Sequence, residues 1–216
     1  MIIVYGSHKG GVGKTTLVLN HAVLLKQKGL SVVILRADKN EDAEYWALLR
    51  SKKDLPLITM IEQYGNLTKK IEELDKVVDV VIVDVAGHSS IELNSALSVA
   101  DLCLSPICPS AANEIFTLKK FSADVKAIQT KNPKLKAYTL LTRCETSSWN
   151  NDASKTAQFL ESSEEYLSPL KSRISQLSAY RKSLNEGIGV HEMNSKANNA
   201  KAQLEIMMNE IIQLYK

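Results

Sequence analysis

The sequence predicts a doubly wound α/β fold, a mostly parallel twisted sheet with helices on both faces. Two patterns carry that expectation. Short runs rich in β-branched residues are almost continuously apolar, as strands covered on both faces must be, and longer amphipathic stretches separate them. The first strand is "IIVY" (2–5), followed after a glycine-rich stretch by a helical pattern in "TTLVLNHAVLLKQKG" (15–29). "SVVILR" (31–36) is the next strand, with helical spacing in "EDAEYWALLRS" (41–51) and "LTKKIEELDK" (67–76). The strand "VVDVVIVDV" (77–85) precedes the helix "SIELNSALSVA" (90–100), and "DLCLSPI" (101–107) precedes "ANEIFTLKKFSADVKAIQTK" (112–131). After the strand "KAYTLLTR" (136–143), the polar "SWNNDASKT" (148–156) reads as a loop leading into another helix, and "PLKSRIS" (169–175) could supply one more strand. In the closing segment (194–216), Leu204, Met207, Met208, Ile211 and Leu214 fall at helical spacing. No repeat, low-complexity tract or linker divides the chain, so one domain over 1–216 is expected.

Bulk composition narrows the class. With 44% hydrophobic and 24% charged residues, the 216-residue chain is an ordinary globular protein, and its net charge of +3 permits a nucleic-acid or anionic-membrane partner without demanding one. Cys103, Cys108 and Cys144 form no CxxC pair and read as buried thiols in a reducing compartment. The N-terminus lacks a basic segment and its apolar run breaks at Gly6 and Ser7, unlike a signal peptide. No apolar run is long enough for a transmembrane segment, so a cytoplasmic protein is expected.

Chemistry concentrates in "SHKGGVGKTT" (7–16). Glycines leave the backbone N–H groups open to an approaching ligand, and a strand, a glycine-rich loop and a helix in succession make an anion nest for polyphosphate. Lys9, Gly10, Gly11, Val12, Gly13, Lys14, Thr15 and Thr16 are the candidate nucleotide-binding residues. Lys14 is placed to reach the outer phosphates and the Thr15 hydroxyl to ligate Mg²⁺. His8 stands where the general G-x-x-x-x-G-K-[ST] pattern has its first glycine. Asp84, ending an apolar strand, is the second candidate for the Mg²⁺ shell, with a strand-end cap as the plainer reading. No guanine-reading N-K-x-D occurs, which favours ATP.

The "KGGVGKTT" form (9–16) resembles the deviant Walker A motif of the ParA/MinD family of P-loop ATPases, and the resemblance covers nearly the whole chain. It implies that Lys9 reaches across a nucleotide-sandwich homodimer to the partner subunit's phosphates. "VVIVDVAG" (80–87) resembles the family's Walker B strand. "LRADKNEDAEYW" (35–46) occupies the place of its D-x-D-P-Q segment, whose second aspartate orients the attacking water. Asp38 matches that aspartate, while Arg36, Lys39 and Asn40 replace the first aspartate, the proline and the glutamine, implying slow or partner-dependent hydrolysis. Lys9, Lys14 and Asp38 are thus the candidate catalytic set. "LSPICPS" (104–110) places Pro106 and Pro109 just past a strand end and looks like the proline loop of plasmid partition ATPases; two prolines that merely stiffen a connection are the equal alternative. Arg143 in "LLTRCETS" (140–147) could flank the base by the same resemblance, or be a surface arginine.

"RISQLSAYRKSLNEGIGVHEM" (173–193) looks like the matching stretch of small, ParF-type partition proteins, with no room ahead of the phosphate loop for an N-terminal helix-turn-helix domain. The resemblance implies a cycle on the nucleoid. ATP drives dimerisation, the dimer binds duplex DNA without sequence preference, and a centromere-binding, ParB-type adaptor triggers hydrolysis and release. Lys171, Arg173, Arg181, Lys182, Lys196 and Lys201 are candidates for DNA contact, since such binding is mostly phosphate neutralisation. Rivals are a MinD-like membrane-positioning ATPase, a metallocluster enzyme, and a nucleotide switch with weak hydrolysis. Glu205 and Glu210 in the last helix count against a lipid-binding basic face, and "VDVAGHSS" (83–90) lacks a cluster cysteine.

Overall fold

The computed structural model describes residues 1–216 apart from 88, 89, 110, 111, 148 and 216, so the last residue of the proline loop lies outside the described set. Seven parallel strands form one sheet in the order β3-β2-β4-β1-β5-β6-β7. They are β1 (Ile2–Tyr5), β2 (Val32–Ala37), β3 (Thr59–Glu62), β4 (Val80–Val85), β5 (Leu102–Ile107), β6 (Lys136–Cys144) and β7 (Pro169–Ser175). The intervening helices are α1 (Lys14–Gln27), α2 (Asp42–Arg50), α3 (Thr68–Asp75), α4 (Ile91–Leu97), α5 (Ala112–Gln129), α6 (Asp152–Glu161), α7 (Ser178–Glu186) and α8 (Asn198–Gln213). The doubly wound class is as the sequence predicts.

Alternate strand residues feed two cores, as the strand period of two requires. Ile3, Tyr5, Ile34 and Ile82 face α1, α2, α7 and α8, whereas Ile2, Val4, Val33, Leu35, Val81 and Val83 face α3 to α6. Helix α1 is buried almost all round, from Leu17 to Leu25, because α7 and the turn at Val190–Glu192 cover the side that the sheet leaves open. The two buried polar residues within that stretch are satisfied. Asn20 accepts from the Val190 N–H at 2.8 Å and donates to Ser183 Oγ, and His21 Nδ1 lies 2.9 Å from the Tyr5 hydroxyl. The apolar stripe of α8 (Leu204, Met207, Ile211) packs toward β7, and Glu210 accepts from the Lys171 and Ser172 N–H groups of that edge strand.

Three expectations need correction. β3 is an additional strand; as an exposed edge it lacks an apolar run and is held by pairing with β2. Pro106 lies within β5, opposite Leu140 of β6, rather than past the strand's end. Its missing N–H costs nothing there, because it is directed to the same side as Leu104, whose carbonyl accepts from Gly6 just where β1 ends. Cys103 and Cys144 are buried, but Cys108 is only half-buried.

The order of strands puts the chemistry in one place. β4 and β5 flank β1, so successive connections leave the sheet in opposite directions on either side of it, and the carboxyl ends of β1 and β4 border the crevice where open α/β sheets bind ligands.

Candidate functional site

The loop after β1 takes its shape from backbone conformation. Gly11 and Gly13 have φ of +78° and +91°, which side chains disfavour, and Gly13 turns the chain directly into α1. That helix has no side-chain cap and no acidic residue in its first turn, so its first N–H groups and the positive end of its dipole are directed at whatever occupies the loop. Gly87, just beyond β4, seats the loop from the other side. A Cβ there would lie 2.7 Å from the Lys9 carbonyl and the Gly10 nitrogen.

The two lysines behave differently. Lys14 is buried, its Nζ 3.2 Å from both Ser7 Oγ and the Lys9 carbonyl oxygen. Burial lowers its pKa, while the nearby Asp84 and Asp38 carboxylates pull it back up. Lys9 is half-buried and its ammonium has no acceptor within hydrogen-bond reach among the described residues. His8, at the missing first glycine, packs edge-to-face on Phe121 with Nε2 3.3 Å from Asp124, tying the loop to α5.

Across the carboxyl edge of the sheet, Glu62, Arg36, Asp84 and Tyr5 stand side by side on β3, β2, β4 and β1. Asp84 is buried; burial raises its pKa to about 6, opposed by a hydrogen bond from Thr15 and by the charge of Lys14. Its Oδ1 has no hydrogen-bond partner. A buried carboxylate oxygen left without a donor, next to a threonine hydroxyl, fits a divalent cation. No group of three acidic, histidine or cysteine residues among those described could hold a metal unaided. Two such donors would need phosphate oxygens and water to complete a Mg²⁺ shell.

Asp38 lies on the turn after β2, near enough to Lys14 and Asp84 for its charge to act on both. The turn is fastened by a side chain. Arg36 is buried, and its Nη2 donates to the carbonyls of Asn40 at 2.8 Å and Asp38 at 3.4 Å. Its Nη1 pairs with Glu44 of α2 at 2.9 Å and lies 3.9 Å from Glu62. Glu44 is eight residues away on a helix and Glu62 lies on a neighbouring strand, and no local pattern pairs either with Arg36.

Beside the phosphate loop, a pocket of about 320 Å³ is lined by Gly13, Thr16, Arg143, Leu177, Tyr180 and Arg181 among others. Arg143 adopts φ +50° near the end of β6, the one non-glycine residue with positive φ among the described residues, and is exposed along the rim. The preceding Thr142 hydroxyl bonds to the Val12 and Ile107 carbonyls at 3.1 Å, joining the phosphate loop to β5 and β6. The proline loop flanks this region. Cys108 N–H donates to Glu114 at 2.6 Å and the Pro109 carbonyl accepts from Thr156.

The structure separates the six basic candidates. Arg181 lines the pocket beside the phosphate loop. Arg173 donates to Ser154 and Lys201 to the Met193 carbonyl at 2.7 Å. Lys182 and Lys196 are exposed and share one surface hollow, and Lys171 is exposed on β7. No helix among the described residues is long and apolar enough to cross a membrane.

This arrangement has counterparts. The protein ParA of Rhizobium radiobacter is 27% identical over 208 residues, which span 94% of this chain and 91% of that protein. Among solved structures, the ATP complex of an aspartate-to-alanine variant of McdA from Cyanothece superposes with a TM-score of 0.72 at 15% identity, over 97% of this chain and 95% of that one. The cell division ATPase MinD of Pyrococcus furiosus gives 0.70 at 20% identity, over 99% and 98%. At these identities the two structures attest the fold. The family profile described as the CobQ/CobB/MinD/ParA nucleotide-binding domain matches residues 3–211, and the chain belongs to that family.

Proposed function

We propose that this protein is a ParA-type DNA partition ATPase. The observation that carries the reading is the division of labour between the two lysines. Lys14 is committed within its own loop, whereas Lys9 sits in the same loop with its ammonium unengaged, as a residue serving a partner subunit's phosphates would be. The ATP-bound McdA of like fold and the ParA relative of like length support the nucleotide and the class.

In this reading the N–H groups of Gly10 to Thr16 cradle the phosphates, Lys14 turns from Ser7 to the outer phosphate oxygens, and the base enters the pocket bounded by Arg143. Thr15 and Asp84 hold Mg²⁺, which when bound neutralises charge on the phosphates. Asp38 orients a water whose oxygen bonds to the γ-phosphorus as the bond to the bridging oxygen breaks. ADP leaves with that bridging oxygen, and a water proton passes to the product phosphate or to solvent. ATP joins two copies through Lys9, and the pair presents a doubled basic surface to non-specific duplex DNA. Lys171, Lys182 and Lys196 are the uncommitted members of the basic set. A ParB-type adaptor on the cargo stimulates hydrolysis and release.

Binding to random-sequence duplex DNA at moderate salt, with no nucleotide, ADP or ATP, tests this directly. Binding only with ATP, lost in Lys14→Ala, is expected. Indifference to DNA in every state would overturn the partition role, and binding to anionic vesicles would then be measured. The packed apolar stripe of α8 counts against that membrane role, because an interfacial helix needs this stripe free.

A further inference from the structure

The loop carrying Asp38 departs most from its family's pattern, and there the structure has built something of its own. A guanidinium is buried at the carboxyl end of β2, one strand from Asp84, and every strong contact it makes fixes the Asp38 turn to a neighbouring element. Two carbonyls, of Asp38 and Asn40, accept from one nitrogen; Glu44 of α2 takes the other, with Glu62 of β3 behind it. The Asp38 carboxylate in turn accepts from the Asn40 N–H at 3.2 Å, and Asn40 caps the entry to α2 through Asp42. Asp38 thus has no independent position. Its backbone is held from one side by Arg36 and its side chain from the other by the turn that Arg36 closes.

We infer that Arg36 is a positioning residue for hydrolysis: it sets the Asp38 carboxylate toward the attacking water by clamping the 38–40 turn onto α2 and β3. The inference rests on the ATPase reading of the same site. An arginine suits this work because its planar fork can satisfy a carboxylate and backbone carbonyls at once with charge-assisted hydrogen bonds. Its charge also separates the Asp84 carboxylate from those of Glu44 and Glu62, which would otherwise repel one another across the strand ends. A guanidinium engaged on the Glu44 carboxylate and two carbonyls of its own chain is not free to serve as a phosphate ligand. The expected signature is a loss in turnover without a loss in nucleotide binding, since the phosphate loop lies on another strand.

The experiment compares steady-state ATP hydrolysis, with adaptor or DNA as needed for activity, and fluorescent-ATP affinity for the wild type, Arg36→Gln, Asp38→Asn and the double variant. Arg36→Gln should lower kcat at least tenfold while KM and nucleotide affinity change less than threefold. The double variant should be no more than twofold slower than Asp38→Asn, because residues acting through one another are not additive. Arg36→Gln at the wild-type rate, or a double variant slowed by the product of the single effects, would overturn the role and leave the ATPase reading standing. A wild-type protein that binds ATP and never turns it over would overturn both. Should Arg36→Gln fail to fold, Glu44→Gln reads the same clamp from an exposed position: a threefold or greater fall in kcat at constant KM supports it, and the wild-type rate refutes it.

Discussion

Two loops border the candidate site, and they are held by different means. The loop after β1 is shaped by its own backbone, through two glycines at positive φ, the turn into α1 and the close approach of Gly87, while His8 and Thr142 tether it to its surroundings. The turn after β2 is fixed by one guanidinium reaching three elements. A backbone-held loop carries its shape in contiguous residues and tolerates change around it. A loop held by a side chain depends on partners on other elements, and on the helix that carries one of them.

That helix is where the comparison can be broken most forcefully. α2 presents Glu44 to Arg36, and its far end is anchored by Arg50, whose guanidinium makes paired 2.7 and 2.8 Å bonds to Glu192, donates to the Pro56 carbonyl and stacks on Trp46. Arg50→Ala leaves Glu192 buried without its partner and should cost about 3–5 kcal/mol in chemical denaturation. If the turn depends on its helix, ATP turnover in the surviving folded fraction will fall too. Retained turnover at reduced stability would show the turn to be autonomous.

The backbone-held side has a buried polar pair of its own, and it titrates. Burial lowers the His21 pKa to about 4, against a model-compound value of 6.5. The unfolded chain therefore binds a proton between those values that the folded chain refuses, so this contribution to stability is complete above about pH 6.5 and declines as pH falls toward 4. The expected loss is about 3 kcal/mol at the acid end. Urea midpoints of the wild type should fall more steeply over this window than those of His21→Gln; equal slopes would place a proton on His21 in the native state.

Next in size is Gly87→Ala. Its Cβ would meet the Lys9 and Gly10 backbone at 2.7 Å, and backbone cannot swing aside as a side-chain tip can. About 1–3 kcal/mol of strain is expected, felt as a displaced phosphate loop and at least a fivefold weaker affinity for ATP. Unchanged affinity would mean that the loop does not need Gly87 for its position.

The contrast also explains what could be read in advance. That Lys14, Thr15 and Asp84 lie together was legible because a strand, a turn and a helix follow one another and each residue has its own place in that series. Arg36 was legible only as a departure; that Glu44 and Glu62 complement it follows from strand order and from the pitch of α2, which no local pattern encodes. β3 escaped because an edge strand held by one neighbour needs no apolar run. α7 escaped because its buried side includes Ser183, a core residue through its bond to Asn20 rather than through apolarity. Among the basic residues, composition could not distinguish Lys201, which is spent on a carbonyl, from Lys182, which is not.

The smallest effect is the most discriminating for the turn after β2. Lys39, another departure from the family's pattern, lies beside Arg36 in the same loop but outside the clamp: its ammonium sits 5.9 Å from the centroid of the Tyr64 ring, and the Tyr64 hydroxyl donates to Glu62 at 2.5 Å. An exposed cation–π contact of this kind contributes about 0.5 kcal/mol. Lys39→Gln should therefore shift the denaturation midpoint barely and leave kcat within twofold, although it removes a positive charge one residue from Asp38. If turnover instead falls as far as in Arg36→Gln, what the turn requires is positive charge near Asp38, and the fork geometry of Arg36 is incidental. If it does not, charge alone is insufficient, and the carboxylates and carbonyls gathered by one buried guanidinium are what hold Asp38 in place.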